Sequence, residues 1–341
     1  MSKMATAAKE DFSEVLRIIR TGRAKAFEAV NVALIDTYWA VGSWLSRKVA
    51  QAGWGKGVVK ELAGWIQAQA PEVKGFSAQN LWRMKQFYEE FSADPKLSVM
   101  PRVLSWTHYC ILLGQCKSPA ERYFYALASE RGRWSKRELE AQIARSSFER
   151  TMLAEAKLSP LARVLPTQAA GVFKDSYLLD FLDLPERHAE TDLQTALLRN
   201  LRKFLMELGD GFAFVGEKVR VQVGTQDFEL DLLFYHRDLQ CLVAFELKTG
   251  RFEPEHMGKL AFYLEALDRD RKRPHENPSI GVLLCRTKDD EVVEYALNRH
   301  LSPALVAQYE TQMIPKAVLQ LKLHEWNQML QADGVAGEDE A

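Results

Sequence analysis

The chain has 341 residues, 47% hydrophobic and 27% charged, with a net charge of −1; this length favours two domains over one core, and no apolar run reaches the ~18 residues a membrane helix needs. MSKMATAAKEDFSE at the start has no apolar core behind a basic residue, so no secretory signal is expected, and the dispersed Cys110, Cys116, Cys241 and Cys285 read as buried thiols of a reducing compartment, the cytoplasm by default. Charge divides unevenly, with 23 Lys and Arg against 15 Asp and Glu in residues 1–150, and 22 against 31 afterwards.

The first 150 residues also hold seven of the eight tryptophans and read as helices throughout. From Phe12 to about Val49, apolar residues recur at helical spacing, for example Val15, Ile18, Ile19, Phe27, Val30 and Leu34. Gly53, Gly55 and Gly57 interrupt this pattern, and a second helix follows through Leu62, Trp65 and Ile66. Ser77 is placed to cap a helix bearing Leu81, Met84, Phe87 and Phe91 on one face. LSWTHYCILLG (104–114) predicts another helix, and Ser135 with Glu138 forms a capping box opening SKRELEAQIARSSFER. A basic, aromatic-rich helical domain over 1–150 is therefore expected to bind nucleic acid or a partner.

Periodicity weakens over 151–175, around Pro160, Pro166 and Gly171, and this segment reads as a linker. An α/β domain is expected over 176–332. It opens with a helix from about Glu190 to Leu208 that stops at Gly209-Asp210-Gly211. Strands are expected at 212–223, 228–235, 241–247 and 280–285, with a short one near 304–309; helices are expected at 255–267, 289–299 and 316–330. Residues 333–341 form an acidic tail expected to be disordered. The short polar segment His236-Arg237-Asp238 makes 228–235 and 241–247 an antiparallel hairpin, so the fold class is an all-α N-terminal domain followed by a mixed α/β sheet flanked by helices.

The chemistry gathers on that hairpin. Glu246 follows the apolar run CLVAF and shares a side of its strand with Lys248. A carboxylate beside a core costs several kcal/mol unless it is paired or metal-bound. Asp231 lies among Leu230, Leu232 and Leu233 on the preceding strand, within reach of Glu246 across the hairpin. Two such carboxylates repel unless one takes up a proton or a cation lies between them, and oxygen-only ligation suits a hard ion such as Mg²⁺ or Mn²⁺.

Asp231 followed by Glu246-Leu247-Lys248 resembles the PD-(D/E)xK nuclease signature, although Leu230 stands where that signature often has Pro. The wider runs GWGKGVVKELAGWI, GFSAQNLWRMKQFYEEF, RWSKRELEAQI, FELDLLFYHRDLQCLVAFELKTG and NPSIGVLLC are similar to the YhcG-type PDDEXK nuclease family over roughly 30–330. The resemblance implies a restriction-endonuclease-like sheet in which Asp231, Glu246 and the Leu247 carbonyl hold the metal and Lys248 positions the attacking water. It also offers Glu190 as an accessory acid, equally readable as a helix N-terminal acid, and Lys259, with Tyr263 one turn on, in the place where the helix after the motif commonly turns a Gln or Lys toward the site.

Other candidates are weaker. His236 reads as a solvated turn residue, His256 as a residue near the E-x-K loop, with substrate contact the minority reading, and His108 as a core or interface residue. Arg131, Arg133, Lys136, Arg137 and Arg145 could grip phosphates without sequence preference. No Walker loop, G-x-G-x-x-G or G-x-S-x-G element is present. The expected activity is Mg²⁺-dependent hydrolysis of DNA, with a homodimer favoured for cutting both strands and no membrane partner. The alternative is a non-catalytic nucleic-acid-binding or assembly module on the same fold.

Overall fold

The computed structural model describes residues 3–52, 55–98, 100, 104–156, 172–185, 187–298, 300 and 302–336. The chain divides into two compact units, Met1–Glu140 and Ala141–Ala341. No helix among the described residues is long and apolar enough to cross a membrane. None of the four cysteines forms a disulfide, and three of them are buried and Cys110 is half-buried.

The first unit is helical. It contains α1 (Lys3–Ala52), α2 (Lys56–Gln69), α3 (Ala78–Ser92), α4 (Pro95–Ser98), α5 (Trp106–Gln115) and α6 (Pro119–Arg131), and α7 (Lys136–Ala144) runs across the division. Its core joins Ile35, Tyr38 and Leu45 of α1 to Leu81, Met84, Phe87 and Phe91 of α3 and to Tyr109 and Leu112 of α5. The α1–α3 approach requires Gly42, because a Cβ there would lie 2.1 Å from the Met84 carbonyl oxygen. Ser77 accepts from the Asn80 N–H at 3.3 Å. The Ser135–Glu138 box is reciprocal, with Ser135 N–H donating to the Glu138 carboxylate at 2.6 Å and Glu138 N–H donating to Ser135 Oγ at 3.3 Å. The single helix expected from Ser135 is broken by Ser146 at φ +54°, and α8 (Ser147–Ala156) follows. Of the linker expected at 151–175, residues 151–156 end α8 and 157–171 lie outside the described residues.

The second unit runs β1 (Ser176–Leu178), α9 (Glu190–Arg199), α10 (Leu201–Leu208), β2 (Phe212–Val223), β3 (Gln226–His236), β4 (Cys241–Arg251), α11 (Glu255–Asp270), β5 (Ile280–Thr287), α12 (Asp290–Asn298), β6 (Ala304–Glu310) and α13 (Lys316–Ala336). Within the expected acidic tail, residues 333–336 belong to α13 and 337–341 lie outside the described residues. The strands form one mixed six-stranded sheet in the order β1-β6-β5-β4-β3-β2. Its β1, β6, β5 and β4 are parallel, and β3 and β2 fold back antiparallel.

Alternation along the central strands gives each face its helices. Phe234, Val243, Phe245 and Leu247 pack with Leu193, Leu197 and Phe204 of α9 and α10. Leu233, Leu242 and Ala244 pack with Leu260, Tyr263, Leu264 and Leu267 of α11. Gly281 lets α11 press onto β5, since a Cβ there would stand 2.7 Å from Leu260.

Two details differ from the sequence expectation. The helix expected over 190–208 breaks at Asn200 into α9 and α10. His236 is not a solvated turn residue but is 1% exposed. Its Nδ1 accepts from the Leu239 N–H at 3.2 Å, which leaves Nε2–H to donate to the Asp210 carbonyl at 3.2 Å, and burial lowers its pKa. Gly211 at φ +87° makes room for that ring, which would meet a Cβ at 2.8 Å.

A buried ion cluster ties α8, β1 and α10 together. Glu207 accepts from Arg150, from Lys174 at 3.4 Å and from the Leu178 N–H at 3.0 Å, and Arg145 lies 3.5 Å from its second oxygen.

Candidate active site

The site lies where β3 and β4 part. The last rung between them is Leu232↔Phe245, and the next positions in register are Asp231 and Glu246. There, side chains replace the ladder. Asp231 Oδ2 accepts from the Leu247 N–H at 2.8 Å, and Gln194 Nε2 of α9 donates to the Asp231 carbonyl at 2.9 Å. β3 itself stays paired with β2, through a stretch in which Lys218 takes φ +45°. Alternation slips here, because Leu230 and Leu233 both join the α11 side while Leu232 faces α9 and α10. Within the run Leu230, Asp231, Leu232 and Leu233, the acid stands at the phase change.

The fully buried stretch from Cys241 to Phe245 anchors β4 and delivers Glu246 to the α11 side. Glu246 is 1% exposed. Its Oε1 is shared by Lys259 Nζ at 2.5 Å and Lys248 Nζ at 3.3 Å, while Oε2 is buried without a hydrogen-bond partner. Lys248 Nζ also donates to the Leu247 carbonyl at 2.9 Å and to Glu190 Oε2 at 3.0 Å. Glu190, 46% exposed along its side chain, is the first residue of α9, so it both meets the helix N-terminus and reaches Lys248. Lys259 lies 5.4 Å from the centre of the Tyr263 ring, and Tyr263 OH donates to the Glu229 carbonyl at 2.8 Å.

Burial, reinforced by the Glu246 charge, raises the Asp231 carboxyl to about 6. Burial pulls the Lys259 ammonium down, but its bond to Glu246 and the charge there outweigh this and raise its pKa. Six residues named from the sequence thus come together: Asp231, Glu246, Leu247, Lys248, Glu190 and Lys259. Gln194 was missed, although its i+4 spacing from Glu190 puts it on the same side of α9.

The oxygens fit a hard divalent cation. A buried carboxylate oxygen without a donor, beside a second carboxyl pushed up by burial and like charge, leaves a place that positive charge would stabilise. Among the described residues no three His, Cys, Asp or Glu side chains converge as a ready metal group. A cation here would therefore rest on Asp231, Glu246 and the Leu247 carbonyl, with water completing its shell.

His256 Nδ1 accepts from the Glu253 N–H at 3.3 Å and so steadies the turn into α11. His108 is bound by Ser105 Oγ at 2.6 Å and the Trp134 carbonyl at 2.9 Å. Arg145 pairs with Asp180 at 3.1 Å and joins the Glu207 cluster, which corrects its reading as a phosphate grip. Arg131, Arg133, Lys136 and Arg137 are exposed.

Two family profiles match this sequence. One, described as the YhcG PDDEXK nuclease domain, matches residues 170–324, and the other, the DUF1016 N-terminal domain, matches 14–150. The Escherichia coli (strain K12) protein named "Putative nuclease YhcG" is 30% identical over 354 aligned positions, spanning 92% of this chain and 93% of that protein. Among solved structures, a repair endonuclease from Pyrococcus abyssi matches with a TM-score of 0.26 and 14% identity over 38% of this chain and 49% of that one. An EndoMS-dsDNA2 complex matches with a TM-score of 0.26 and 19% identity over 38% of this chain and 47% of that one. Each of these two solved chains is thus matched over about half its length.

Proposed function

The chain belongs to the YhcG family of PDDEXK nucleases, and from that premise we propose that it hydrolyses phosphodiester bonds in DNA with Mg²⁺, or Mn²⁺, held by Asp231, Glu246 and the Leu247 carbonyl. The observation that carries this reading is Glu246: a buried carboxylate with one oxygen unbonded, facing Asp231 across a parted seam and flanked by two lysines. When bound, the ion supplies an acidified water and offsets charge on the phosphate.

The chain's own groups do the rest. Lys248, held by Glu190, Glu246 and the Leu247 carbonyl, presents an ammonium to hold the attacking water and to meet negative charge as it develops. Lys259 balances the Glu246 charge, and its ammonium stands over the Tyr263 ring. Gln194 and Asp231 keep the seam open at a fixed width by satisfying the backbone groups exposed there. The basic excess of residues 1–150 supports a nucleic-acid partner, and cutting both strands of a duplex with one site per chain favours a homodimer.

The test is cleavage of linear, nicked, branched and single-stranded DNA and of RNA, with Mg²⁺ or with chelator, by wild type and Lys248→Ala. Metal-dependent cutting of DNA is expected, with a loss of about 10³-fold in the variant, comparable to removing one charge-stabilising donor. Equal cutting by the variant would overturn the assignment. Tight DNA binding without cutting under any metal would replace it with the non-catalytic module.

A further inference from the structure

Strands β4, β5 and β6 are parallel, so their carboxyl ends share one edge of the sheet, the edge at which open α/β sheets bind ligands. Lys248 stands on that edge. The rungs Lys248↔Cys285 and Cys285↔Gln308 set Arg286 and Tyr309 one step beyond it on the next two strands. Leu284 and Ala307 face α9, so alternation turns Arg286 and Tyr309 to the same face, the one from which Glu190 reaches Lys248.

Other cations near this edge are spent on acids: Lys248 on Glu190 and Glu246, Arg251 on Asp289, and Lys288 on Asp175. Arg286 is held in another way. Its guanidinium is half-buried and hydrogen-bonded to the hydroxyl of Tyr309, which is 2% exposed. His188 fixes the direction of that bond. Its Nδ1 donates to the Pro185 carbonyl at 2.9 Å, so the neutral ring turns Nε2 to the Tyr309 hydroxyl at 3.0 Å as an acceptor. Tyr309 therefore donates to His188 and accepts from Arg286. Burial raises the pKa of that hydroxyl more than the Arg286 charge lowers it, so the proton stays in place for His188. The Glu190 charge reaches the same hydroxyl, which puts the chain of bonds beside the site. A hydroxyl takes one of the five N–H donors of a guanidinium and neutralises none of its charge. The Glu310 carboxylate, which senses that charge, is bonded by Gln308 at 2.5 Å and by alternation faces the other side of β6.

We propose that Arg286 is a substrate-binding residue that grips the backbone phosphate next to the one cut, with Tyr309 and His188 as the positioning residues that aim it. This deepens, and rests on, the reading of the site as one for nucleic acid. Asp231, Glu246 and Lys248 address the scissile phosphate. Neighbouring strands stand about 4.8 Å apart, so a guanidinium one strand further along the edge meets the adjoining phosphate of the same backbone. Its planar fork suits that task, because it takes two phosphate oxygens at once. His188 also lies two residues before Glu190, so the loop that aims Arg286 leads directly into the acid that holds Lys248.

The test is fluorescence anisotropy of a labelled DNA duplex with the full-length chain, Ca²⁺ replacing Mg²⁺, over a series of KCl concentrations. Circular dichroism verifies the fold of each variant. Arg286→Gln is expected to weaken binding about 10-fold and to reduce the slope of log affinity against log salt by about 0.9, the counterion release of one phosphate contact. Arg286→Lys is expected to keep the slope and lose affinity, since the charge stays and the fork goes. Tyr309→Phe keeps the ring and is expected to weaken binding about 3-fold at an unchanged slope, as an aimed side chain becomes free. Single neutral methylphosphonates scanned along the strand should find one position that weakens wild type and leaves Arg286→Gln indifferent. A wild-type slope in Arg286→Gln, an Arg286→Lys or Tyr309→Phe protein that binds as tightly as wild type, no such position in the scan, or a wild type that binds no DNA would each overturn the proposal. Cutting is read separately, so a chain that grips DNA in this way and never cuts it would sink the nuclease reading and spare this one.

Discussion

Glu207 and Glu246 are the same residue type at the same 1% exposure in the same unit, and the protein treats them in opposite ways. Around Glu207, Arg150, Lys174, Arg145 and the Leu178 N–H supply donors to both oxygens. Burial pushes its carboxyl up, but Lys174 and Arg150 more than reverse this and hold it below the usual range. Lys174 in turn is pulled by burial down to about 8. Around Glu246, one oxygen has two lysines and the other has nothing, and the neighbouring Asp231 is driven up to about 6. A buried charge completed by its own chain is a fastening. A buried charge left incomplete is a place for something else, and its cost to the folded protein is the sign of a site.

Removing the fastening should produce the largest effect. Glu207→Ala leaves Arg150 and Lys174 buried without their anion and is expected to cost about 3–5 kcal/mol in denaturant unfolding, against a loss below ~1 kcal/mol if the cluster were dispensable. At the site the sign should reverse. Asp231→Asn keeps an oxygen for the Leu247 N–H but removes the charge opposed by burial and by Glu246, so the metal-free protein should gain about 1–2 kcal/mol near neutral pH. The same change should abolish the rise in melting temperature on adding Mg²⁺.

The two acids should also titrate in opposite directions. Native Asp231 keeps its proton to about 6, whereas an unfolded Asp releases it near ~3.9. Between those values the native state binds more protons, so the Asp231 contribution favours folding below that window and is lost as pH rises through it. Glu207 is lowered, so its contribution is present above the unfolded glutamate value and is lost as pH falls through its native one. Stability curves of Asp231→Asn and Glu207→Gln against wild type should therefore diverge at opposite ends of the acid range. The smallest effect is expected from Lys259→Ala. Its ammonium is half-exposed, so stability should change by no more than ~1 kcal/mol. The Asp231 carboxyl, which that charge helps to lower, should titrate above its wild-type position in carbon-detected NMR.

Much of this arrangement could be read from the sequence because its causes are local. The hairpin follows from a polar turn between two apolar runs, and the placement of Glu246 and Lys248 follows from strand alternation. Asp231 stood out because an acid among leucines needs a reason. What escaped depends on distant partners. β1 is three residues long and exists only because β6 pairs with it. His236 is buried because the chain from Asp210 to Phe212 closes over it, which no turn propensity reveals. The slip of alternation at Leu230 arises from the pairing with β2, and the part played by Gln194 emerges only once the seam opens beneath α9. Arg145 seemed a surface cation because its two acids, Asp180 and Glu207, come from 35 and 62 residues away.

The bond from the Leu247 amide to Asp231 Oδ2 has one more consequence. It makes a single backbone proton in the middle of the sheet answerable to the charge on a single side chain, with no ladder bond to mask it. Hydrogen exchange at Leu247 is thus a built-in gauge. It should slow when the carboxylate is ionised and anchored, and quicken when Asp231 takes up a proton, so the condition of the site can be followed without any substrate.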